Sequence, residues 1–418
     1  THPKIFTHLI EGYTPQYLFD LAFDYTYEHL KQYITKDKPT YKDLYMDYDT
    51  SPGYPYNRFW KKKKDVPNHI IEDIVYGPYS TNLWYLACKR ERLPIDKIIK
   101  DNKIRTFMMP NMTYLIRQKK FSQNFNEQLK SVPWSAYGFN WHNLGFNNLL
   151  YDLLKFKNFL DFDISKWDKH FPLKIECYKM RHLFLEMSPE EEMEFWQIAE
   201  DEINPKIILP SGEVLLLQCG QLSGSENTTS DNTIAHIMII YYECICGYLE
   251  KYKKLPTIFN IRQNVEPRIY SDDVIMSHSD NFDFLSDPDK KHFVYSQFGM
   301  AIEKNNQEKW NVSTELEGHT FLGFKVKRYI NFLVPYYEYE KVKDSTVVLE
   351  NNESPTDQLL RFVGLLDLLI FTNYYKEYQN FIHTYCKHYN FKVPFLYSQE
   401  NRIKYELCLE EVEVGGTK

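Results

Sequence analysis

The 418 residues hold only seven cysteines, and none forms a Cys-x-x-Cys pair. The closest two, Cys244 and Cys246, lie inside an apolar run. This excludes a disulfide scaffold and argues against a zinc ribbon; buried free thiols in a reducing compartment fit better. Long apolar runs are also missing. The most apolar stretch, Ile234 to Leu249, is interrupted by His236 and Glu243 and falls short of the roughly 20 residues a bilayer span needs. No repeat or low-complexity tract occurs. The chain begins Thr-His-Pro-Lys, without an initiator Met or a signal-peptide pattern, and so reads as a processed or excised start. Positive charge is not in excess either. The formal net charge is -7, an average that argues against a polyanion partner.

What is present changes that reading. Aromatic residues make up 17% of the chain, enough with the aliphatics to build a large core and to exclude wholesale disorder. Charge is uneven: Arg58 to Lys120 carries fifteen Lys and Arg against six Asp and Glu, a local +9 on a remainder of -16. A basic block on an acidic body lets an acidic protein hold a polyanion.

Periodicity predicts a helix over 15–34, a Pro/Gly/Asp/Tyr-rich loop over 44–68, and a strand over 156–163. Helices follow over 172–187 and from Ser188 to about Ile203. In the second of these, Ser188 and Glu191 form a capping box ahead of Pro189. A long buried helix is expected over 228–251, a hairpin over 268–277, and one apolar helical stretch over 358–389. Strand-helix-strand-hairpin order through 156–277 suits an α+β domain.

Two acidic sites sit in strand-turn contexts. Asp163-Ile-Ser-Lys-Trp-Asp168 follows an apolar strand, and Tyr270-Ser271-Asp272-Asp273 forms a hairpin tip. Carboxylates at neighbouring strand ends are what two-metal phosphoryl transfer requires. Singly, each is an ordinary polar turn. Between them runs Gly220 to Asn232, with Ser223-Gly224 giving a flexible backbone. Thr228 and Asn232 share one helix face, where small polar groups can bond a ribose hydroxyl; alone, this is an ordinary capped helix start. Lys89 to Arg105 places basic residues where a β-ribbon could hold a triphosphate. Lys61 to Lys64 is a four-lysine run which, alone, is a solvated face.

Taken together and in order, these segments resemble the RNA-dependent RNA polymerases of positive-strand RNA viruses, most closely the picornavirus-like group. Thr50-Ser-Pro-Gly53-Tyr54-Pro-Tyr56 with the lysine run is similar to the template-path motif, and Lys89 to Arg105 to the triphosphate-binding motif of the fingers. Asp163-x4-Asp168, Ser223-Gly224-x3-Thr228-x3-Asn232 and Tyr270-Ser-Asp-Asp match the first three palm motifs. Phe298-Gly299 through Lys309 loosely matches the fourth, and Phe321-Leu322-Gly323 the primer-grip turn. The matches cover about two-thirds of the chain.

The resemblance implies an α+β right hand: fingers over 1–155 with an insertion at 170–215, a palm of antiparallel sheet packed on helices over 156–169 and 216–335, and a helical thumb over 336–418. It implies that Asp163 and Asp272 ligate metal with Asp273 in support, as two Mg²⁺ ions with Mn²⁺ an alternative. Asp168, Ser223, Thr228 and Asn232 would sense the ribose 2′-hydroxyl, and Lys89, Lys103 and Arg105 would hold the triphosphate. Lys309 would donate a proton to pyrophosphate, with Lys304 a close rival. Gly53, Tyr54 and Lys61, Lys62, Lys63 and Lys64 would guide RNA. Implied partners are an RNA template and product strand, ribonucleoside triphosphates, a protein primer and other viral replication proteins, in a membrane-associated complex in the host cytoplasm.

The sequence departs from the family pattern at Ser271, where most relatives carry Gly. The stretch ahead of the template-path motif is also short, which suggests that part of the connection from fingers to thumb is missing. Two rivals stay open at this point. A reverse transcriptase shares the palm but tends to block the 2′-hydroxyl with a bulky residue, and a catalytically silent RNA-binding subunit would not need the acids.

Overall fold

The computed structural model describes residues 13–88, 99, 106–165, 167–217, 220–306, 309–348 and 353–409. Two compact units divide the chain. One comprises 1–138, 162–274 and 278–310; the other comprises 139–161, 275–277 and 311–418.

The first unit is organised around the helix Thr228–Tyr252, whose residues from Ser230 to Gly247 are all buried. Its apolar character on every face is what a central helix needs. Ile234 and Met238 pack with Leu30 from the helix Pro15–Leu30, with Phe125 and Leu129 from the helix Met112–Leu129, and with Met180 from the helix Lys174–His182. The helix Pro189–Ile203 starts as the sequence predicts. Ser188 Oγ accepts from the Glu191 N–H, the Glu191 carboxylate accepts from the Ser188 N–H, and Pro189 takes the first helical position.

A four-stranded sheet in this unit runs in the order Thr106–Met109, Leu83–Cys88, Lys206–Ile208, Val214–Leu216. Its outer pairings are antiparallel and its central one is parallel. Trp84, Tyr114, Tyr178 and Phe195 fill the core behind it. Strands Val265–Tyr270 and Asp273–His278 form the acidic hairpin, almost wholly buried along its arms and open at its tip.

The second unit holds a three-stranded antiparallel sheet, Thr320–Phe321, Phe324–Tyr329 and Phe332–Tyr336. Leu322 and Gly323 make its tight first turn with φ of 52° and 78°, the twin positive values that suit a two-residue hairpin. Helices Pro355–Asp367 and Tyr375–His388 pack through Phe362, Leu366, Tyr378 and Ile382. The apolar stretch read as one helical region over 358–389 is thus two helices.

Among the described residues no helix is long and apolar enough to cross a membrane. Cys88, Cys177, Cys244, Cys246, Cys386 and Cys408 are free thiols.

Candidate active site

Asp163 directly follows the strand Asn158–Phe162 and is pinned through its backbone. Its N–H donates to the Lys309 carbonyl at 2.9 Å, and its carbonyl accepts from the Glu303 N–H at 3.4 Å. The next two residues pair antiparallel with Ala301–Ile302. Both backbone anchors leave the carboxylate at the surface, where Lys309 Nζ lies 3.8 Å from Oδ2. Lys304, its sequence rival, is instead ion-paired with Asp289. Asp168 lies in the short helix Trp167–His170 and is exposed. Its carbonyl accepts from the Gln221 N–H at 2.6 Å, tying the first acidic turn to the glycine-serine loop.

Gly220 permits that tie. Its φ is 98°, and a Cβ there would sit 2.9 Å from the Asp168 carbonyl oxygen. Gly224 has a different purpose from the flexibility expected of it: a Cβ would lie 1.9 Å from the Met108 carbonyl oxygen. Close approach of two backbones demands the glycine. Ser223 is exposed on the loop. The Thr228 hydroxyl is turned inward, donating to the carbonyls of Leu222 at 2.5 Å and Ser225 at 3.0 Å. In this arrangement it holds the loop's shape. Beneath it, Arg181 bonds Asp231, Asn126 and Ser230, and Asn126 bonds Asn227, all buried.

The hairpin tip is clamped to the long helix. Asn232 Nδ2 donates to Ser271 Oγ at 3.0 Å, Thr233 Oγ1 accepts from the Ser271 N–H at 3.0 Å, and His236 Nδ1 donates to the Ser271 carbonyl at 3.0 Å. Asn232 Oδ1 is buried and has no partner among the described residues. Burial drives His236 down to about 3, so its ring is neutral. Thr233 and His236 were not legible as site residues. The available signal was spacing, because His236 stands four residues after Asn232 on the same helix face.

Asp272 is solvent-accessible at the open tip of the hairpin. Its carboxyl is raised above the usual carboxylate range by desolvation, by the charge of Asp168 and by that of Asp163. The Ser271 hydroxyl and a backbone N–H oppose the shift. The three acids therefore share one electrostatic neighbourhood. Asp273 begins the second arm and is half-buried.

The test for metal is the chemistry of these donors. Among the described residues no three His, Cys, Asp or Glu side chains converge as a ready cage. Mg²⁺ does not require one, since it binds through one or two carboxylates with waters and substrate phosphates. Mutually repelling carboxylates around a raised Asp272 are a donor set that a dication relieves, so the residues fit.

On the segment expected to line a template path, Gly53 has φ of 75°, and a Cβ would lie 2.3 Å from the Pro110 carbonyl oxygen. The Met112 N–H donates to the Pro52 carbonyl at 2.8 Å, docking the loop on the start of the helix Met112–Leu129. Tyr54 carries Arg58 over its ring at 5.2 Å. The lysine run is not one face. Lys61 is exposed, Lys62 and Lys64 both reach Asp49 at 3.0 and 2.6 Å, and Lys63 is buried with its amine on Thr50 and the Asp47 carbonyl. Lys89, Lys103 and Arg105 lie outside the described residues; the strands on either side of them pair antiparallel, Cys88 opposite Thr106.

The model of the viral RNA-dependent RNA polymerase family matches residues 27–389, a span holding every acidic and loop residue above. The chain belongs to this family. Its relatives include the non-structural polyproteins 1AB of Turkey astrovirus 1 (24% identical over 294 residues, 66% of this chain and 18% of that polyprotein) and of Avian nephritis virus 1 (24% over 338 residues, 74% and 21%). Genome polyprotein 1 of Barley mild mosaic virus (strain Na1) is 26% identical over 289 residues, 62% of this chain and 11% of the polyprotein. The chain thus spans about a fifth or less of the curated relatives it matches. The family resemblance drawn from the motifs is borne out, and neither rival reading is favoured. Polymerases of this family use divalent metal ions.

Proposed function

We propose that this chain performs template-directed RNA synthesis, joining ribonucleoside triphosphates to an RNA 3′-hydroxyl with release of pyrophosphate. The observation that carries this reading is the shared acidic neighbourhood of Asp163, Asp168 and Asp272, bonded through Ser271 to Asn232.

In this reading Asp163 and Asp272, supported by Asp273, hold two Mg²⁺ ions, with Mn²⁺ an alternative. When bound, such ions acidify the 3′-hydroxyl and neutralise charge on the triphosphate. Asp168 and Asn232 select the ribose. Asn232 Oδ1, without a partner among the described residues, supplies an acceptor once the side chain turns toward the acids, and Ser223 and Thr228 shape the loop beside it. Lys309, already beside Asp163, donates a proton to the leaving pyrophosphate. Lys89, Lys103 and Arg105 hold the triphosphate. Gly53 and Tyr54 with Lys61, Lys62 and Lys64 line the template path, while Lys63 anchors that loop from within.

Residues 1–155 and 170–215 form fingers, 156–169 and 216–335 a palm, and 336–418 a thumb, the last supported by its helices Pro355–Asp367 and Tyr375–His388. Partners are an RNA template and product strand, a protein primer and other viral replication proteins, in a membrane-associated complex of the host cytoplasm.

The test is Asp272→Asn in single-nucleotide incorporation on a primed RNA, with RNA affinity measured alongside. Incorporation should fall at least about a thousandfold, roughly 4 kcal/mol of barrier, while affinity stays within about threefold. Equal activity of variant and wild type sinks the reading.

A further inference from the structure

The residue immediately before each of the three acids contacts one buried pair, His236 and Tyr295. Ser271, before Asp272, accepts from His236 Nδ1 at 3.0 Å through its carbonyl. On the other side of the ring, His236 Nε2 accepts from the Tyr295 hydroxyl at 2.8 Å. Trp167, before Asp168, packs on the His236 ring with centroids 4.8 Å apart. Phe162, before Asp163, meets the Tyr295 ring edge-on at 5.7 Å.

The pair is itself held. Tyr295 is fully buried on the helix Pro288–Ser296, and Lys291 from the same helix lies 4.6 Å over Phe162. The Lys291 amine is fixed by both Glu243 carboxylate oxygens at 2.6 and 2.7 Å. With its proton on Nδ1 for Ser271 and its lone pair on Nε2 for Tyr295, the neutral imidazole is fully satisfied.

We infer that His236 and Tyr295 are positioning residues that set the mutual spacing of Asp163, Asp168 and Asp272, and hence the protein's affinity for a divalent cation. A histidine that only filled the core would matter to stability; this pair also matters to metal. The inference rests on the polymerase reading for its kinetic readout and for the assignment of Asp163 and Asp272 as metal ligands.

The experiment uses Tyr295→Phe, which removes the hydroxyl and keeps the ring, with His236→Leu and His236→Asn, the latter retaining a donor near Nδ1. Mn²⁺ affinity of the protein without RNA is followed by electron paramagnetic resonance. kcat and KM for single-nucleotide incorporation and the melting temperature are measured beside it. Tyr295→Phe and His236→Leu should each weaken Mn²⁺ binding and lower kcat by about tenfold, with KM for the nucleotide within about threefold. His236→Asn should recover most of both.

Variants that melt earlier yet keep wild-type Mn²⁺ affinity overturn the inference, as does a wild type that binds no Mn²⁺. Should the wild type incorporate no nucleotide while Mn²⁺ affinity still shifts as stated, the polymerase reading fails and the positioning role stands.

Discussion

Ser271 holds φ at 61°, a conformation glycine adopts freely and other residues at a cost of about 1–2 kcal/mol. Its hydroxyl recovers part of that through Asn232 Nδ2, a bond worth about 0.5–1.5 kcal/mol. The two terms nearly cancel. Ser271→Gly should therefore keep incorporation within about tenfold, or 1.4 kcal/mol of barrier; a larger loss in primer extension would show the hydroxyl to be indispensable. Asp272 leads to a second prediction at this scale. Because its carboxyl is raised by burial and by Asp168 and Asp163, the ionised form opposes folding. That penalty is absent below the ordinary carboxylate range, grows as pH rises from there to the raised value, and is complete above it. Metal-free Asp272→Asn should melt above wild type at pH 7, with the gap closing near pH 3 and narrowing when Mg²⁺ is added. Calorimetry across pH checks it. The acids were legible in the sequence because turn chemistry and chain order mark them. Lys63 was not, since only the folded loop turns one lysine of four inward. His236 looked merely like a polar interruption of an apolar run.

At the scale of elements, what was legible is what depends on near neighbours in the chain. The capping box at Ser188, the long helix and the hairpin all follow from residues within four positions of each other. Gly224 depends instead on Met108, far away in sequence, so its role as a contact point between backbones was hidden behind its flexibility. Gly224→Ala should destabilise the protein by about 1–3 kcal/mol, as overpacking does, and should disturb the loop that carries Ser223. Gly364 supplies the control. It lies inside the helix Pro355–Asp367, and a Cβ added there would meet nothing within 4 Å, so Gly364→Ala should stabilise by about 0.5–1 kcal/mol. Chemical denaturation of the two variants should therefore move in opposite directions; a neutral Gly224→Ala would show that the strand and the loop can separate.

For the whole molecule, net charge was a misleading average, and so in part was the local +9. Several cations of the 58–120 block are internal scaffolding. Arg117 bonds the carbonyls of Ile74 and Gly77 and the Glu194 carboxylate, Lys119 pairs with Glu226, and Lys120 with Glu191 and Glu194. Lys63 is buried in its own loop. The described charge available to a phosphate backbone from the lysine run is thus Lys61 with Lys62 and Lys64, whose exposed pairs with Asp49 are weak enough to exchange for phosphates. Binding of single-stranded RNA should then respond to salt in proportion to these contacts. Each lysine that meets one phosphate contributes about 0.7 to the slope of log K against log salt. Replacing Lys61 and Lys64 together by Ala should reduce that slope by about 1.4 and weaken binding without regard to sequence. Lys63→Met should leave the slope unchanged and lower the melting temperature instead. Fluorescence titrations at several salt concentrations separate the two outcomes, and a Lys63 variant with a reduced slope would return that residue to the RNA path.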